Sequence, residues 1–457
     1  MLEIQIAGAG AGKTYNLAKN IINYQNDIKD HKIIYALTYT NAAAEKINYA
    51  ILKDLGYIPN NIVIETIHSF LLNEIIYPFS LYILNHYYNN CSTIPLSRVV
   101  NFRAQTIKKL ESKNVIHSEK VYQISKQIID ENNHKNNSST KKANVKYIHS
   151  LLAAKIAKIF IDEVQDLDDD ALKVFKIIAQ KCSDVYMIGD PKQAIKYSDA
   201  LNNFISDLNE ENYVKFHPVN NVTMRVPSEI LNISNRFCYS DQKQISNNKN
   251  KGTLKYLESN HPQFNEIISK YIKNHIVCID KKQGKYSTSK NIERSFPDFV
   301  AEKIKAQPTN LNKDLLVKAA YIDFLENIYQ GDIKSVIRNL TNKYHFQLET
   351  REYAEFAKLI SQFQEIPRNI FNISSIDSIK GLDSDSCVII LSPNIYNYLI
   401  QKNLSEEKRF NKEWKKVYVA LTRAKRELVI VLDHNLFESK PLEKVRAELE
   451  NLGFIPY

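Results

Sequence analysis

Glycine is scarce, with 10 in 457 residues, about 2% against the roughly 7% usual in proteins. A chain this poor in glycine is expected to keep one only where the backbone needs it. Gly8, Gly10 and Gly12, then Gly189, then Gly381 fall in short stretches that also carry charged and hydroxyl residues. Cysteine is scarce too: Cys91, Cys182, Cys238, Cys278 and Cys387 are odd in number and widely spaced, without a CxxC pair. That excludes a disulfide framework and a zinc knuckle, and predicts a reducing, cytoplasmic location. A secretory leader is not expected, because the strand-like run 2–6 follows Met1 directly. The most apolar stretch, residues 70–84, contains Glu74 and falls short of the ~20 apolar residues of a membrane span. It reads as a buried helix pair, with no membrane partner.

What remains is an ordinary globular composition, 44% hydrophobic and 25% charged, which excludes disorder and suits two to three domains of ~150 residues. Lys and Arg outnumber Asp and Glu by 61 to 51 for a net charge of +10. Charge of this sign favours a polyanionic partner through phosphate neutralisation, although it also describes a plain basic surface.

Strand-like runs alternate with helical patterns from the start: strand at 3–7, helix to about 24, strand at 32–38, helix to 55. This rhythm predicts an α/β domain with a parallel sheet. Between 71 and 154 the pattern is helical with a polar centre at 132–142, expected to be an exposed arm. Strands return at 158–162 and 184–189, so the helical part is an insertion. A second α/β region follows, with strands at 253–257, 276–279, 388–391 and 428–432, and a second helical insertion near 295–368.

The motifs sit at the strand ends. Ala7, Gly8, Ala9, Gly10, Ala11, Gly12, Lys13 and Thr14 follow a strand and open a helix. There, backbone N–H groups cradle phosphates, Lys13 bridges the outer ones and Thr14 holds Mg2+. The apolar strand 159–161 ends in Asp162 and Glu163. In a parallel sheet both carboxylates reach the carboxyl edge beside that loop, Asp162 for the magnesium and Glu163 for the attacking water. The strand 184–189 leads to Asp190 and Gln193, the latter placed to sense a γ-phosphate. Arg225 and Arg423 stand in polar contexts where either a solvated role or phosphoryl-transfer stabilisation is open.

Taken in order, residues 7–14, 37–44, 66–70, 161–166, 188–193, 377–383 and 417–426 resemble the motif series of UvrD/Rep-like superfamily 1A DNA helicases. The resemblance spans both α/β regions and fades in the insertions. It implies two RecA-like P-loop domains, each with a mainly helical insertion, divided as 1–70, 71–154, 155–210, 211–294, 295–368 and 369–457, with the lobes meeting near Glu210. It implies ATP and Mg2+ in the cleft and hydrolysis driving 3′ to 5′ translocation on single-stranded or 3′-tailed DNA. Lys13, Thr14, Asp162, Glu163, Gln193, Arg225 and Arg423 match the family's ATPase set, and Asp383 the acidic residue that meets the ribose. Tyr39, Asn41, His68 and Ser69 match DNA contacts, and Tyr197 alone serves in the aromatic turn after Gln193. By residue type alone, Tyr39 and His68 would be a core aromatic and a satisfied imidazole.

The departures concern the base and the coupling. Too few residues precede Ala7 for the family's adenine-reading glutamine motif. Met224 replaces an aromatic beside Arg225, leaving Tyr15 to stack on the base, and Asp377 replaces a histidine. Short forms of this family resemble the helicase-like subunit of two-component antiphage systems such as Gabija. That implies an alternative, a nucleotide-gated DNA-binding regulatory subunit with a nuclease partner. No carboxylate cluster of nuclease type is found in the sequence.

Overall fold

The computed structural model describes all residues except 29–30, 98, 134–135, 137, 210, 282–284, 289–295, 309–312, 329–330, 365–370, 401–410 and 438–439. The first lobe is built on strands β1 (Leu2–Ile6), β2 (Ile33–Thr38), β3 (Ile62–Thr66), β4 (Ile156–Ile161), β5 (Asp184–Gly189) and β6 (Val214–Phe216). They pair in parallel in the order β3-β2-β4-β5-β1-β6. The second lobe has β7 (Thr253–Glu258), β8 (Ile276–Ile279), β9 (Ser374–Ser375), β10 (Ser384–Ile390), β11 (Ala424–Leu432) and β12 (Ile455–Pro456), in the order β9-β8-β10-β11-β7-β12. Two parallel sheets flanked by helices make a pair of RecA-like domains.

Alternation builds the first core. Ile34 and Ala36 of β2 join Leu17, Ile21, Ile47 and Ile51 on one face. Tyr35 and Leu37 join Phe70, Leu71 and Phe175 on the other. Successive side chains of a strand point to opposite faces, so a sheet covered on both sides needs a near-continuous apolar run. The order also positions the site. Because β5 lies between β1 and β4, the loops after these three strands emerge side by side at the carboxyl edge.

Several expectations change. Residues 67–84 form one helical run, not a pair, and the run is long and apolar enough by length and composition to cross a membrane, with 44% of it buried inside the protein. Its middle, Leu71–Ile76, is π-helical just before Pro78. A wide turn accommodates the missing proline N–H without ending the helix. Phe70 packs on Tyr35 with ring centroids 4.9 Å apart and on Phe175 at 6.1 Å, so this segment belongs to the first core. Val214–Phe216, read with the second domain, pairs with β1 instead. Glu210, the expected meeting point of the lobes, lies outside the described residues.

The polar centre of the first insertion is not simply an arm. Lys135 lies outside the described residues. Asn136, however, is fully buried and donates through Nδ2 to the carbonyls of Gln127 at 2.8 Å and Asp130 at 2.9 Å. Lys141, Lys142 and Lys146 fall on the helix Ser139–Lys155.

A separate compact unit runs over Ile279–Ser375, wider than the insertion read from the sequence. Its helices Asp298–Lys305, Lys313–Asn327, Ile333–Lys343 and Thr350–Gln364 enclose their own core of Phe296, Val300, Phe324, Ile337, Phe356 and Ile360. Ser295 and Arg368, near which that insertion was bounded, lie outside the described residues.

Asn136 supplies the first test. Asn136→Ala strands the buried Gln127 carbonyl, while Asp130 O keeps the Asn133 N–H at 3.0 Å, and the penalty for one such group is about 1–3 kcal/mol. Urea denaturation of the full chain should show a loss of that size, whereas a change within the ~0.5 kcal/mol of a surface substitution would contradict the role.

Candidate nucleotide site and nucleic-acid face

The loop after β1 turns through Gly10 at φ +72° and Gly12 at φ +71°, left-handed values that favour glycine. Gly12 caps the helix Lys13–Asp27, so the helix N-terminus opens where phosphate amide donors are needed. The second lobe presses against this loop. Met224 N–H donates to Gly10 O at 2.9 Å, and a Cβ at Gly10 would stand 2.5 Å from both Arg225 Cβ and Thr223 Oγ1.

Lys13 is 8% exposed, and its ammonium donates to the carbonyls of Gly8 at 3.3 Å and Ala7 at 3.5 Å. Thr14 Oγ1 donates to Asp162 Oδ2 at 2.7 Å. Asp162 has no solvent exposure. Burial pushes its carboxyl up, the neighbouring Glu163 adds to this, and Thr14 and Lys13 oppose it. Glu163 sits at φ 54°, ψ 41°, an unfavourable backbone for a residue with a Cβ, and accepts a hydrogen bond from Gln165 Nε2. Burial acts to raise its pKa, but Lys13, Lys380, the Gln165 bond and Arg423 outweigh burial and hold it below the ordinary value. Strain of this kind clusters at functional sites.

Asp190, fully buried, is the hub of the seam between the lobes. It accepts from Gln193 Nε2 at 2.9 Å and the Tyr418 hydroxyl at 3.1 Å, and pairs with Lys192 at 2.9 Å. Gln193 Oε1 accepts from Arg423 Nη2 at 2.9 Å. Arg423 is 1% exposed, and it also donates to Val419 O at 2.8 Å and Leu382 O at 3.2 Å. Burial, then the nearby Arg225, pushes the Arg423 guanidinium down to about 10, with Glu163 opposing. Arg225 pairs with Asp383 at 2.9 Å, and Lys425 reaches the other oxygen of Asp383 at 2.6 Å. Lys380 pairs with Asp166.

The structure therefore brings Lys13, Thr14, Asp162, Glu163, Gln193, Arg225 and Arg423 to one seam. Asp383 is there too, engaged with Arg225 and Lys425. The set fits a nucleotide with its magnesium. Lys13 turns to its own loop's carbonyls, Arg225 Nε is buried without a hydrogen-bond partner among the described residues, and a hydroxyl stands against a buried carboxylate. Phosphate oxygens would satisfy the Lys13 and Arg225 donors, and the Thr14 hydroxyl oxygen with the Asp162 carboxylate would supply oxygen ligands to a divalent cation. Tyr15 and Met224 are both exposed, at 49% and 65%, and what lies over the Tyr15 ring is the Lys19 ammonium at 4.7 Å.

The DNA-contact candidates divide. Lys196 Nζ donates to the Tyr39 hydroxyl at 3.0 Å and lies 5.5 Å from the Tyr39 ring centroid and 4.8 Å from that of Tyr197. Two half-buried aromatics and a cation thus share one surface. Asn41 is exposed at the start of the helix Asn41–Leu55. Ser69, by contrast, shares a 2.8 Å hydroxyl contact with Thr66 and closes that helix cap. His68 packs on Tyr122 at 4.7 Å, and burial lowers its pKa against a hydrogen bond with the Ser118 backbone. For these two the contacts are those of a packed scaffold. Asp377 is exposed.

Sequence reading missed Asp190 as hub, Tyr418 and Lys196. Tyr418 and Asp190 both lie inside quoted motifs, so the signal was present without the pairing. Lys196 follows Gln193 in a turn whose motif is broken.

A P-loop with an acidic strand end, facing arginines of a second RecA-like lobe, is the arrangement of a P-loop nucleotide-binding protein. Family comparison agrees: an AAA domain family matches residues 2–199. The chain resembles the Gabija protein GajB of Bacillus cereus (strain VD045), with 26% identity over 514 residues covering 97% of this chain and 95% of that protein. Two structures of Arterivirus nonstructural protein 10, a helicase, one in complex with DNA, align over 98% of this chain at 12% and 11% identity and TM-score 0.37. This chain spans 62% of their length.

Two outcomes are expected at this seam. Glu163→Gln should bind magnesium–ATP and hydrolyse it about 10²-fold more slowly, the usual size of a general-base effect, while Lys13→Ala should lose binding; unimpaired turnover in Glu163→Gln contradicts the assignment. Burial also pushes the Lys415 ammonium down to about 8, against Asp199 and Asp190. Its folded pKa lies below the unfolded value of 10.5, so its protonated form costs stability below pH 8, and the cost fades as pH rises from 8. Lys415→Met should therefore be most favourable relative to wild type near pH 7, with that difference shrinking by pH 10 in urea titrations.

Proposed function

We propose that the protein hydrolyses ATP between its two RecA-like lobes and uses the cycle to move 3′ to 5′ along single-stranded DNA, opening 3′-tailed duplexes. The observation that carries this is the meeting of Lys13, Thr14, Asp162 and Glu163 from one lobe with Arg225 and Arg423 from the other in a single buried seam.

The loop amides and Lys13 would bind the phosphates, and Thr14 and Asp162 would hold magnesium, which would supply charge neutralisation. Glu163, kept ionised by the surrounding cations, orients the attacking water and accepts its proton. Arg225 and Arg423 carry the positive charge that phosphoryl transfer requires, and Gln193 ties Arg423 to Asp190 at the end of β5. Lys196 belongs to the same turn, and it sits on Tyr39 and Tyr197. Opening and closing of the seam is thereby transmitted to an aromatic platform able to stack bases.

A second reading is favoured by one observation. Arg225 is paired with Asp383, and the second lobe already grips the P-loop. Such a closed seam suits a nucleotide-gated DNA-binding subunit that regulates a nuclease partner in antiphage defence, as the resemblance to the Gabija protein GajB suggests. ATPase assays with and without single-stranded DNA, joined to displacement of 3′- and 5′-tailed duplexes, separate the two. Strong stimulation with 3′-tail displacement supports the motor; slow, DNA-indifferent turnover supports the gate and overturns the motor.

The platform makes its own prediction. Base stacking is worth ~1–3 kcal/mol per base and depends weakly on salt, whereas each phosphate contact contributes about −0.7 to the slope of log affinity against log salt. Tyr39→Ala should weaken single-strand binding with the slope kept. Lys196→Ala should flatten the slope by about 0.7. An unchanged slope in Lys196→Ala removes it from the interface.

A further inference from the structure

We propose that Gln244, which lies outside every motif, is a positioning residue of the nucleotide site that holds the P-loop backbone from the second lobe. The inference rests on the hydrolysis reading above, because it assigns that site a residue.

Gln244 is 3% exposed. Its Nε2 donates to Ala9 O at 2.9 Å, and its Oε1 accepts from the Tyr418 hydroxyl at 2.9 Å. Tyr418 in turn accepts from Ala9 N–H at 3.3 Å. Both backbone polar groups of Ala9, in the middle of the P-loop, are thus satisfied by side chains of the other lobe. Since a trans peptide points its C=O and the following N–H in opposite directions, clamping the Ala9 carbonyl aims the Gly10 N–H away from Gln244.

The side chain is held in place for this. Gln244 N–H donates to Asn235 Oδ1 at 2.8 Å, and Asn235 Nδ2 donates to Gln244 O at 2.9 Å. A two-point clamp on its main chain leaves the carboxamide little freedom. The P-loop is shaped to admit it: a Cβ on Gly8 would stand 2.3 Å from Gln244 Nε2 and 2.4 Å from its Cδ. Gly8 therefore answers to close approach by the second lobe.

The contact also has a route to the arginine. The Tyr418 hydroxyl has one proton and two acceptors, Gln244 Oε1 and Asp190 Oδ2. Asp190 bonds Gln193, and Gln193 receives Arg423. Gln244 and Asp190 therefore share that one proton, so the P-loop contact of Gln244 is set against the carboxylate that holds Gln193 and, through it, the guanidinium offered to the phosphates.

The test is a double-mutant cycle on the full chain, read as the KM and kcat for ATP and as magnesium–ATP affinity by equilibrium titration. Gln244→Ala should raise KM about tenfold, as expected for losing a buried hydrogen-bond partner. Gln244→Glu keeps the acceptor for Tyr418 and sets an oxygen against Ala9 O, so it should do at least as much harm at unchanged side-chain volume. It also serves if the alanine variant fails to fold. Gly8→Ala should be severe with Gln244 present and mild in the Gln244→Ala background, because the added methyl then meets no amide. Wild-type KM and affinity in both Gln244 variants, or an equal Gly8→Ala penalty in both backgrounds, overturns the proposal. Failure of the hydrolysis reading is distinct: wild type itself would turn over no ATP, while the titration would still report whether Gln244 shapes the loop.

Discussion

Asp162 and Asp190 have no solvent exposure, Arg423 has 1%, and Lys192 and Lys13 have 4% and 8%, all within one seam. Burying a charge is costly unless it is paired and hydrogen-bonded, and a buried pair is justified less by stability than by the arrangement it enforces. The local order around these residues answers that constraint. Thr14 meets Asp162, Gln193 and Lys192 meet Asp190, and Gln165 meets Glu163 while its Oε1 also accepts the Asp190 N–H at 2.9 Å. On the cationic side the balance is incomplete. Among the described residues Arg225 pairs with Asp383 and its Nε has no hydrogen-bond partner, and Arg423 lies near enough to feel it. Two guanidiniums and an ammonium facing the same edge suit a polyanion, which is the ground for proposing the seam as a binding site as well as a joint.

The same hydrogen bonds couple the joint to the surface. Asp190 follows β5, Gln193 lies in the next turn, and three residues further on Lys196 places its ammonium over the rings of Tyr39 and Tyr197. The distance from the arginine-sensing carboxamide to the aromatic platform is a few residues of one loop. In the proposed motor, a change in how Arg423 is held would reach the platform along this turn without passing through a core, which packs too densely to deform smoothly.

Much of this was legible in the sequence because strand periodicity and local chemistry agree there. An apolar run ending in Asp162 and Glu163, and another ending in the glycine loop, name their own strand ends, and a parallel sheet puts those ends on one edge. The positive φ of Gly10 and Gly12 matches what glycine scarcity suggested. Other features depend on tertiary context. Asn136 sits in a polar stretch, and only the carbonyls of Gln127 and Asp130 turn it inward. Val214–Phe216 is too short to announce its sheet. Residues 70–84 read as a helix pair, and only the π turn at Leu71–Ile76, just before Pro78, shows how one run continues through them. Ser69 and His68 match DNA-contact motifs, yet cap and packing occupy them here. Gln244 could not be found at all, since its partners Ala9 and Tyr418 are far from it in the chain and its own neighbours form no motif.

The central claim is that the seam is completed by a phosphate chain with a divalent cation. Anything that binds the folded state alone stabilises it in proportion to the logarithm of its concentration over Kd. Thermal unfolding of the full chain under increasing magnesium–ATP tests this most directly. The account predicts a Tm that climbs steadily with concentration in wild type and stays flat in Lys13→Ala; a wild-type Tm that does not move at millimolar magnesium–ATP would contradict it.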